Sequence, residues 1–127
     1  MIHGIGTDIV AVKRMHAMWE RHGHKALEKL LAPEEIGEFA GAADNGRFLA
    51  KRFAAKEAFT KALGTGIKTP ANWHGVWVVN RPSGKPALEF SRDLQLLLEQ
   101  KGVARSHLSL TDERGVAVAT VILECEK

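Results

Sequence analysis

RFLAKRFAAKEAFTKALGTG, residues 47–66, is the stretch that decides the fold. Alanine, leucine, lysine, arginine and glutamate are strong helix formers, so the stretch predicts one long helix. Asp44 and Asn45, directly before it, supply side-chain oxygens that can cap a helix N-terminus. Gly64 and Gly66 supply the left-handed residues that commonly end helices. We therefore expect the rest of the chain to be organised around this central helix.

The central helix has two chemically different sides. At about 100° per residue, one side collects apolar residues and is expected to face the core; these are Phe48, Ala55, Phe59, Ala62 and Leu63. The opposite side carries Glu57 and Lys61 among the small residues Ala50 and Ala54, a surface that a ligand can approach closely. Taken alone, Glu57 and Lys61 are best explained as an ordinary surface ion pair at i,i+4 spacing. The ligand hypothesis therefore depends on the rest of the chain.

Two cations of this helix break its pattern. Arg52 and Lys56 project into the apolar sector rather than opposite it. Long cationic side chains in that sector indicate either a bound anion or a boundary between subunits.

Composition narrows the class of protein. The 127 residues, 45% hydrophobic and 26% charged, predict one soluble globular domain over residues 1–127. The single cysteine, Cys125, excludes an internal disulfide and a cysteine-based zinc site. No apolar run is long enough to span a bilayer, and the chain begins without a leader-like segment, so we expect a cytoplasmic protein without a membrane partner. The net charge of +3 is too small to argue for nucleic acid.

The first strand contains an unusual carboxylate. Residues 2–10 predict a strand whose two glycines, Gly4 and Gly6, permit close backbone approach. Asp8 interrupts this otherwise apolar run, and a buried carboxylate needs a partner. Two explanations remain open here: Asp8 binds a metal ion, or it caps the helix that comes next.

The remaining patterns predict an α+β domain with an antiparallel sheet packed with the long central helix. The helices are expected at residues 11–22, 25–31, 33–42 and 93–101, in addition to the central one. The strands are expected at residues 76–80 and 86–90, which form a hairpin, and at residues 107–111 and 116–123, which form another. The last strand is almost continuously apolar, which predicts burial on both faces.

The first helix is locally basic. Arg14, Met18 and Arg21 fall at i, i+4 and i+7 along one flank. A solvated helix face is the usual meaning of such a pattern. The functional alternative is an acidic protein partner, recognised by charge and by the adaptable Met18 side chain.

Four motifs occur in an order that resembles a known family. They are GIGTDIV at residues 4–10, RFAAKEAFTKALGTGI at residues 52–67, GKP at residues 84–86 and HLSLT at residues 107–111. Together they are similar to holo-acyl-carrier-protein synthase, the short class of phosphopantetheinyl transferase. The resemblance covers essentially the whole chain, and the second motif is highly specific.

The resemblance implies a reaction and its residues. It implies transfer of 4'-phosphopantetheine from coenzyme A to a serine of an acyl carrier protein, leaving adenosine 3',5'-bisphosphate. By similarity, Asp8 and Glu57 are expected to bind Mg²⁺, and Lys61 to stabilise or protonate the departing phosphate. Either Glu57 or a metal-bound water takes the serine proton.

The resemblance also implies contacts and partners. The expected coenzyme A contacts are Arg52, Lys56, Lys61, Gly64, Gly66, Gly84, Lys85, Pro86, His107 and Thr111. Family members of this length are homotrimers with sites between neighbours, so His107 is expected to serve an adjacent subunit's site. Arg14, Met18 and Arg21 resemble the surface that docks the acidic carrier protein.

Three other classes of protein compete with this one. A non-catalytic coenzyme A or nucleotide-binding module has no need for Asp8, Glu57 and Lys61 together. An RNA-binding domain could use the basic helix with Trp73 or Trp77, but no RNA-binding aromatic motif is present. In a purely structural trimer, Asp8 would be a cap and Glu57 would pair with Lys61.

Overall fold

The computed structural model describes residues 1–126. In chain order, these residues form β1 (Ile2–Ala11), α1 (Val12–His22), α2 (His24–Leu30), α3 (Pro33–Ala40), α4 (Asn45–Leu63), β2 (Val76–Asn80), β3 (Pro86–Phe90), α5 (Arg92–Gln100), β4 (Val103–Glu113) and β5 (Val116–Cys125). The central helix is α4. The predicted α+β class with antiparallel sheet is confirmed, and the hairpin of β2 and β3 has its predicted bounds.

The ends of α4 result from its capping residues. Asp44 is the N-cap, and its carboxylate accepts a 3.0 Å hydrogen bond from the Arg47 backbone N–H. Gly64 is the C-cap in the left-handed conformation, with φ of 88°. Both roles agree with the sequence-based prediction.

The main sheet has the strand order β1-β5-β4, with both pairs antiparallel, while β2 and β3 form a separate two-stranded sheet. Strand β4 is longer than predicted, because its pairing with β5 extends from Val103 to Glu113. The connecting turn is reduced to Arg114 and Gly115, both with positive φ, the backbone that suits a two-residue hairpin.

Glycine allows β1 to lie directly on α4. A Cβ atom at Gly4 would lie 1.9 Å from the Ala62 carbonyl oxygen, and one at Gly6 would lie 2.0 Å from that of Ala58. The predicted close backbone approach is therefore confirmed, with a helix of the same chain as the partner. The small side of α4 differs from the prediction, because Ala50 and Ala54 are fully buried and unavailable to a ligand.

The opposite face of the main sheet is apolar and uncovered in the single chain. Strand β5 buries alternate residues (Ala117, Ala119, Val121 and Leu123), whereas its other side chains are only partly buried. The predicted burial of β5 on both faces is thus not observed within one chain. Ile5 and Ile9 of β1 lie on the same outer face and are 63% and 64% exposed. We call this surface the outer sheet face.

Candidate functional site

The last turn of α4 and strand β1 bring two of the predicted site residues together. The Lys61 ammonium donates a 3.0 Å hydrogen bond to Asp8 Oδ1 and a 3.1 Å hydrogen bond to the Thr7 carbonyl oxygen. The Asp8 side chain is only 16% exposed, and the Lys61 side chain is 51% exposed. Since the N-cap of α1 is Ala11, without a side-chain cap, the helix-cap explanation of Asp8 is wrong.

Glu57 lies one turn before Lys61 and close to Asp8. Burial raises the pKa of the Glu57 carboxyl above its ordinary value, and the charge of Asp8 raises it further. The charges of Lys61 and Arg14 oppose this rise. Lys61 forms its ion pair with Asp8, so the plain Glu57–Lys61 surface pair is not the arrangement observed. The site therefore combines two neighbouring carboxylates with one accessible ammonium.

The donor set of this site fits a hard divalent cation. Asp8 and Glu57 offer carboxylate oxygens, the ligands that Mg²⁺ prefers. Among residues 1–126, no group of three or more His, Cys, Asp or Glu side chains is placed to hold a metal. Mg²⁺ is commonly held by one or two carboxylates, with waters and substrate phosphates completing its octahedron. Two carboxylates beside an open surface match that mode of binding.

The Lys56 side chain lies in the protein interior, and its ammonium bonds only to groups of the protein. Its side chain is fully buried, and its ammonium donates to Glu35 Oε1 at 2.6 Å, the Trp73 carbonyl at 2.6 Å and the Leu30 carbonyl at 2.8 Å. Burial lowers the pKa of Lys56, and the charge of Glu35 opposes this. All three donors are occupied, so the predicted phosphate contact of Lys56 is wrong. The cation enters the apolar sector of α4 to meet a buried carboxylate.

Arg52 shares the same carboxylate. Its guanidinium donates to Glu35 Oε2 at 3.2 Å, to the Val78 carbonyl at 2.6 Å and to Glu38 Oε2 at 2.8 Å. It also lies over the Phe48 ring, 4.6 Å from its centroid. Arg52 therefore already has two carboxylate partners, and the structure offers it an internal role in place of the predicted anion.

Glu35 is the buried residue that sequence reasoning missed. It is fully buried and accepts four hydrogen bonds, two of them from the Ala32 and Val78 backbone N–H groups. The other two come from Arg52 and Lys56. The sequence contains one indication of such a residue: Arg52 and Lys56 lie in the apolar sector of α4, and buried cations need a carboxylate partner. The sequence pattern around Glu35 indicates only an acid in the first turn of α3, a position that gives no sign of burial.

His107 lies apart from Asp8 within one chain. The strand register places His107 beside Ile122 on the outer sheet face, whereas Asp8 belongs to the face that packs on α4. The His107 imidazole donates from Nε2 to Glu124 Oε1 at 2.5 Å, and this bond lowers the pKa of the Glu124 carboxyl. Thr111 shares the outer face. One chain thus does not assemble all of the predicted residues.

The predicted glycines and hairpin residues occupy exposed turns. Gly64 and Gly66 follow α4 with φ of 88° and 66°, and Gly84 has φ of 89° in the turn before β3. Lys85 in this turn is exposed. Pro86 borders a cavity of about 660 Å³, which is also lined by Arg47, Phe48, Lys51 and Arg52. This cavity lies beside the N-terminal half of α4, whereas Glu57 and Lys61 lie in its C-terminal half.

The predicted docking residues form one continuous surface. Arg14, Met18 and Arg21 line a shallow groove of about 190 Å³ on α1. We call it the α1 groove.

Trp73, considered above as an RNA contact, is partly buried, and its ring stacks on Phe53. Within residues 1–126, no helix is long and apolar enough to cross a membrane.

Comparison with known proteins gives one consistent family. The family model of the 4'-phosphopantetheinyl transferase superfamily matches residues 4–121. A holo-[acyl-carrier-protein] synthase from Dechloromonas aromatica is 59% identical over 124 residues, which cover 98% of each chain. Another from Azoarcus sp. is 48% identical with the same coverage.

Solved structures agree with the sequence relatives. The crystal structure of holo-[acyl-carrier-protein] synthase from Neisseria meningitidis has a TM-score of 0.95 and 41% identity, covering 98% of this chain and 99% of that one. The enzyme from Bacillus anthracis, solved in complex with CoA (3',5'-ADP), has a TM-score of 0.83 and 35% identity, covering 99% of each chain. Each of these proteins is similar to this chain over nearly its whole length.

Proposed function

Because the chain belongs to the 4'-phosphopantetheinyl transferase superfamily, we propose that Asp8, Glu57 and Lys61 carry out its reaction. The chain transfers 4'-phosphopantetheine from coenzyme A to a serine of apo-acyl carrier protein, an activity that supports fatty acid biosynthesis. The other product is adenosine 3',5'-bisphosphate. The observation that carries the residue assignment is the contact of Lys61 with Asp8, one helical turn from Glu57. A non-catalytic binding module would have no use for this cluster.

Asp8 and Glu57 are the proposed Mg²⁺ ligands. When bound there, the ion supplies a positive charge that offsets the charge developing on the pyrophosphate. The two carboxylates come from different elements, β1 and α4, and the close glycine contact fixes the separation of these elements. Burial and the charge of Asp8 raise the pKa of the Glu57 carboxyl, and a cation bound between the two carboxylates would offset both effects.

Lys61 is proposed to stabilise the leaving group, and Glu57 is proposed to accept a proton. The Lys61 ammonium is half exposed and has one donor beyond its two observed hydrogen bonds, which suits contact with the departing nucleotide phosphate. A fixed cation at a leaving group contributes more in the transition state than in the ground state. Glu57 accepts the serine proton in the simplest assignment, since burial and the charge of Asp8 raise the pKa of its carboxyl.

Three chains are proposed to cover the outer sheet face. Ile5 and Ile9 are more than half exposed there, an unfavourable arrangement for an isolated small domain. A trimer would bury them and would bring His107 and Thr111 toward a neighbour's site. The expected mass is three times the 13.9 kDa of the chain. Light scattering on Ile9→Arg should give a monomer, whereas Leu96→Arg, at an exposed leucine of α5, should leave the trimer intact.

The remaining coenzyme A contacts lie in the exposed turns. We assign the backbone N–H group of Gly66 to the nucleotide phosphates, and Gly84, Lys85 and Pro86 to the adenosine end. The Gly64 N–H already donates to the Thr60 carbonyl at 2.9 Å, so the predicted N–H contact of Gly64 is wrong. Arg52 borders the cavity next to Pro86, but its guanidinium is already paired with Glu35 and Glu38, so both Arg52 and Lys56 are removed from the set. The complex of the Bacillus anthracis enzyme with CoA supports a coenzyme A site in this fold.

The α1 groove is the proposed docking site for the acidic carrier protein. Its two arginines can pair with carboxylates, and Met18 supplies an apolar contact between them. The cytoplasmic location and the single-domain organisation over residues 1–127 remain predictions.

The decisive experiment is intact-mass spectrometry of an apo-acyl carrier protein incubated with the chain, coenzyme A and Mg²⁺. We expect a mass increase of one phosphopantetheine that is abolished by EDTA and restored by added Mg²⁺. Transfer that persists in EDTA would contradict the metal assignment. Binding of coenzyme A without any transfer to several carrier proteins would favour the non-catalytic module.

A further inference from the structure

Arg14 lies on an aromatic stack. Its guanidinium carbon is 5.0 Å from the centroid of the Phe53 ring. The Phe53 ring in turn stacks on the Trp73 indole, with 5.0 Å between centroids and 29° between planes. The three side chains come from α1, α4 and the loop before β2, so the stack joins three separate parts of the chain.

Trp73 is held in place from the interior. Its carbonyl oxygen accepts a 2.6 Å hydrogen bond from the buried Lys56 ammonium, which is anchored by Glu35. The next turn is also fixed, because Asn72 Oδ1 accepts hydrogen bonds from the backbone N–H groups of His74 and Gly75. The base of the stack is therefore rigid, although the loop around it has little regular structure.

The stack lies between the α1 groove and the reactive cluster. Phe53 and Glu57 are four residues apart on α4, so their side chains are neighbours on one side of the helix. Arg14 lines the α1 groove, and its charge also acts on Glu57. Arg14 is thus the residue of the groove that reaches toward the carboxylates.

We propose that Trp73 is a positioning residue for carrier-protein recognition, because through Phe53 it holds Arg14 between the α1 groove and the reactive carboxylates. This inference rests on the proposed docking of an acidic carrier protein at Arg14. An exposed arginine loses considerable side-chain entropy when a partner fixes it. Stacking on an anchored ring places the guanidinium before the partner arrives, so less entropy is lost on binding.

The test compares variants of Trp73 in steady-state assays with carrier protein and coenzyme A varied separately. Trp73→Leu removes the ring face but keeps an apolar side chain, and Trp73→Phe keeps a ring. Trp77, whose indole donates to Glu89 on the β2–β3 hairpin, provides the control Trp77→Leu. We expect Trp73→Leu to raise KM for the carrier protein about five- to tenfold, as loss of the stacking on Phe53 implies. KM for coenzyme A should not change, Trp73→Phe should restore most of the loss, and Trp77→Leu should have no effect on either KM.

A double-mutant cycle with Arg14→Ala separates positioning from general stability. If Trp73 acts through Arg14, Trp73→Leu should have little further effect in the Arg14→Ala background. Equal effects in both backgrounds, or a parallel rise in KM for coenzyme A, would overturn the inference. If Trp73→Leu does not fold, Trp73→Met supplies the same comparison with an unbranched side chain that also lacks a ring, and an unchanged KM for the carrier protein would then overturn the inference. If the proposed function itself were wrong, the wild-type chain would show no transfer. Failure of the proposed function and failure of the Trp73 inference therefore give different results.

Discussion

Lys61 Nζ donates a 3.0 Å hydrogen bond to Asp8 Oδ1 and thereby joins the last turn of α4 to strand β1. The two residues are far apart in sequence, and they meet because Gly4 and Gly6 let the strand lie against the helix backbone. The half-exposed Lys61 ammonium is also accessible to a substrate phosphate. This relationship makes the geometry of β1 part of the proposed chemistry.

Lys61→Met should lower kcat about 100-fold or more, since a fixed cation at the leaving group stabilises the transition state. KM for coenzyme A should change much less. Steady-state kinetics with Lys29→Met, an exposed lysine of α2, as control would measure both effects. A rise in KM alone would assign Lys61 to binding.

Glu57→Gln should abolish most of the activity while the fold survives. Burial and the charge of Asp8 both disfavour ionised Glu57, so without metal the neutral glutamine should not lower the melting temperature. Mass-spectrometric turnover and circular dichroism in EDTA check the two parts, with the exposed Glu99→Gln as the matched control. Near-normal turnover of Glu57→Gln with Mg²⁺ would remove Glu57 from the site.

Charge reversal in the α1 groove should affect one substrate only. Arg14→Glu with Arg21→Glu should raise KM for the carrier protein at least about tenfold, because like charges then face an acidic partner. Coenzyme A affinity, measured by calorimetry, should be unchanged. Arg92→Glu with Lys101→Glu makes the same change in net charge on and just after α5 and should have little effect. Equal losses for both substrates would argue against a separate docking surface.

The hydrogen bond from His107 to Glu124 predicts a dependence of stability on acid pH. This bond holds the pKa of the Glu124 carboxyl below its ordinary value of 4.5. A carboxyl whose folded pKa is lowered contributes stability that is present above the unfolded pKa and is lost as the pH falls through the folded pKa. Resistance to urea unfolding should therefore weaken below about pH 4.5, and His107→Gln should flatten that part of the profile. A profile that is the same in His107→Gln and wild type would exclude this contribution.

Much of the fold could be predicted because its helices and caps depend on residues that are close together in the sequence. The helix formers of α4, its cap at Asp44 and its end at Gly64 each act within a few residues, so the sequence indicated the helix directly. Gly4 and Gly6 likewise indicated a close approach, although not which element would approach.

Pairings between distant residues were harder to predict. Glu35 lies 17 and 21 residues from Arg52 and Lys56, and only the position of α3 in the folded chain makes it their counter-ion. When Glu35 is not recognised as their partner, two cations in the apolar sector of a helix suggest an anion-binding site. Asp8 was ambiguous for the same reason, since its partner Lys61 becomes evident only when β1 lies on α4.

The buried network around Glu35 should be the most sensitive point of the fold. Glu35→Gln leaves the fully buried Lys56 ammonium without a carboxylate, which should lower the free energy of unfolding by about 3–5 kcal/mol. Lys56→Met removes the cation itself and leaves Glu35 with Arg52 and two backbone donors. The double variant should therefore lose less than the sum of the single losses, since its second substitution removes the charge that the first left unpaired. Urea denaturation of the four proteins measures this coupling, and the exposed neighbour Glu34→Gln should change stability by less than about 0.5 kcal/mol. Strictly additive losses would show that Glu35 and Lys56 act independently, which would contradict this coupling.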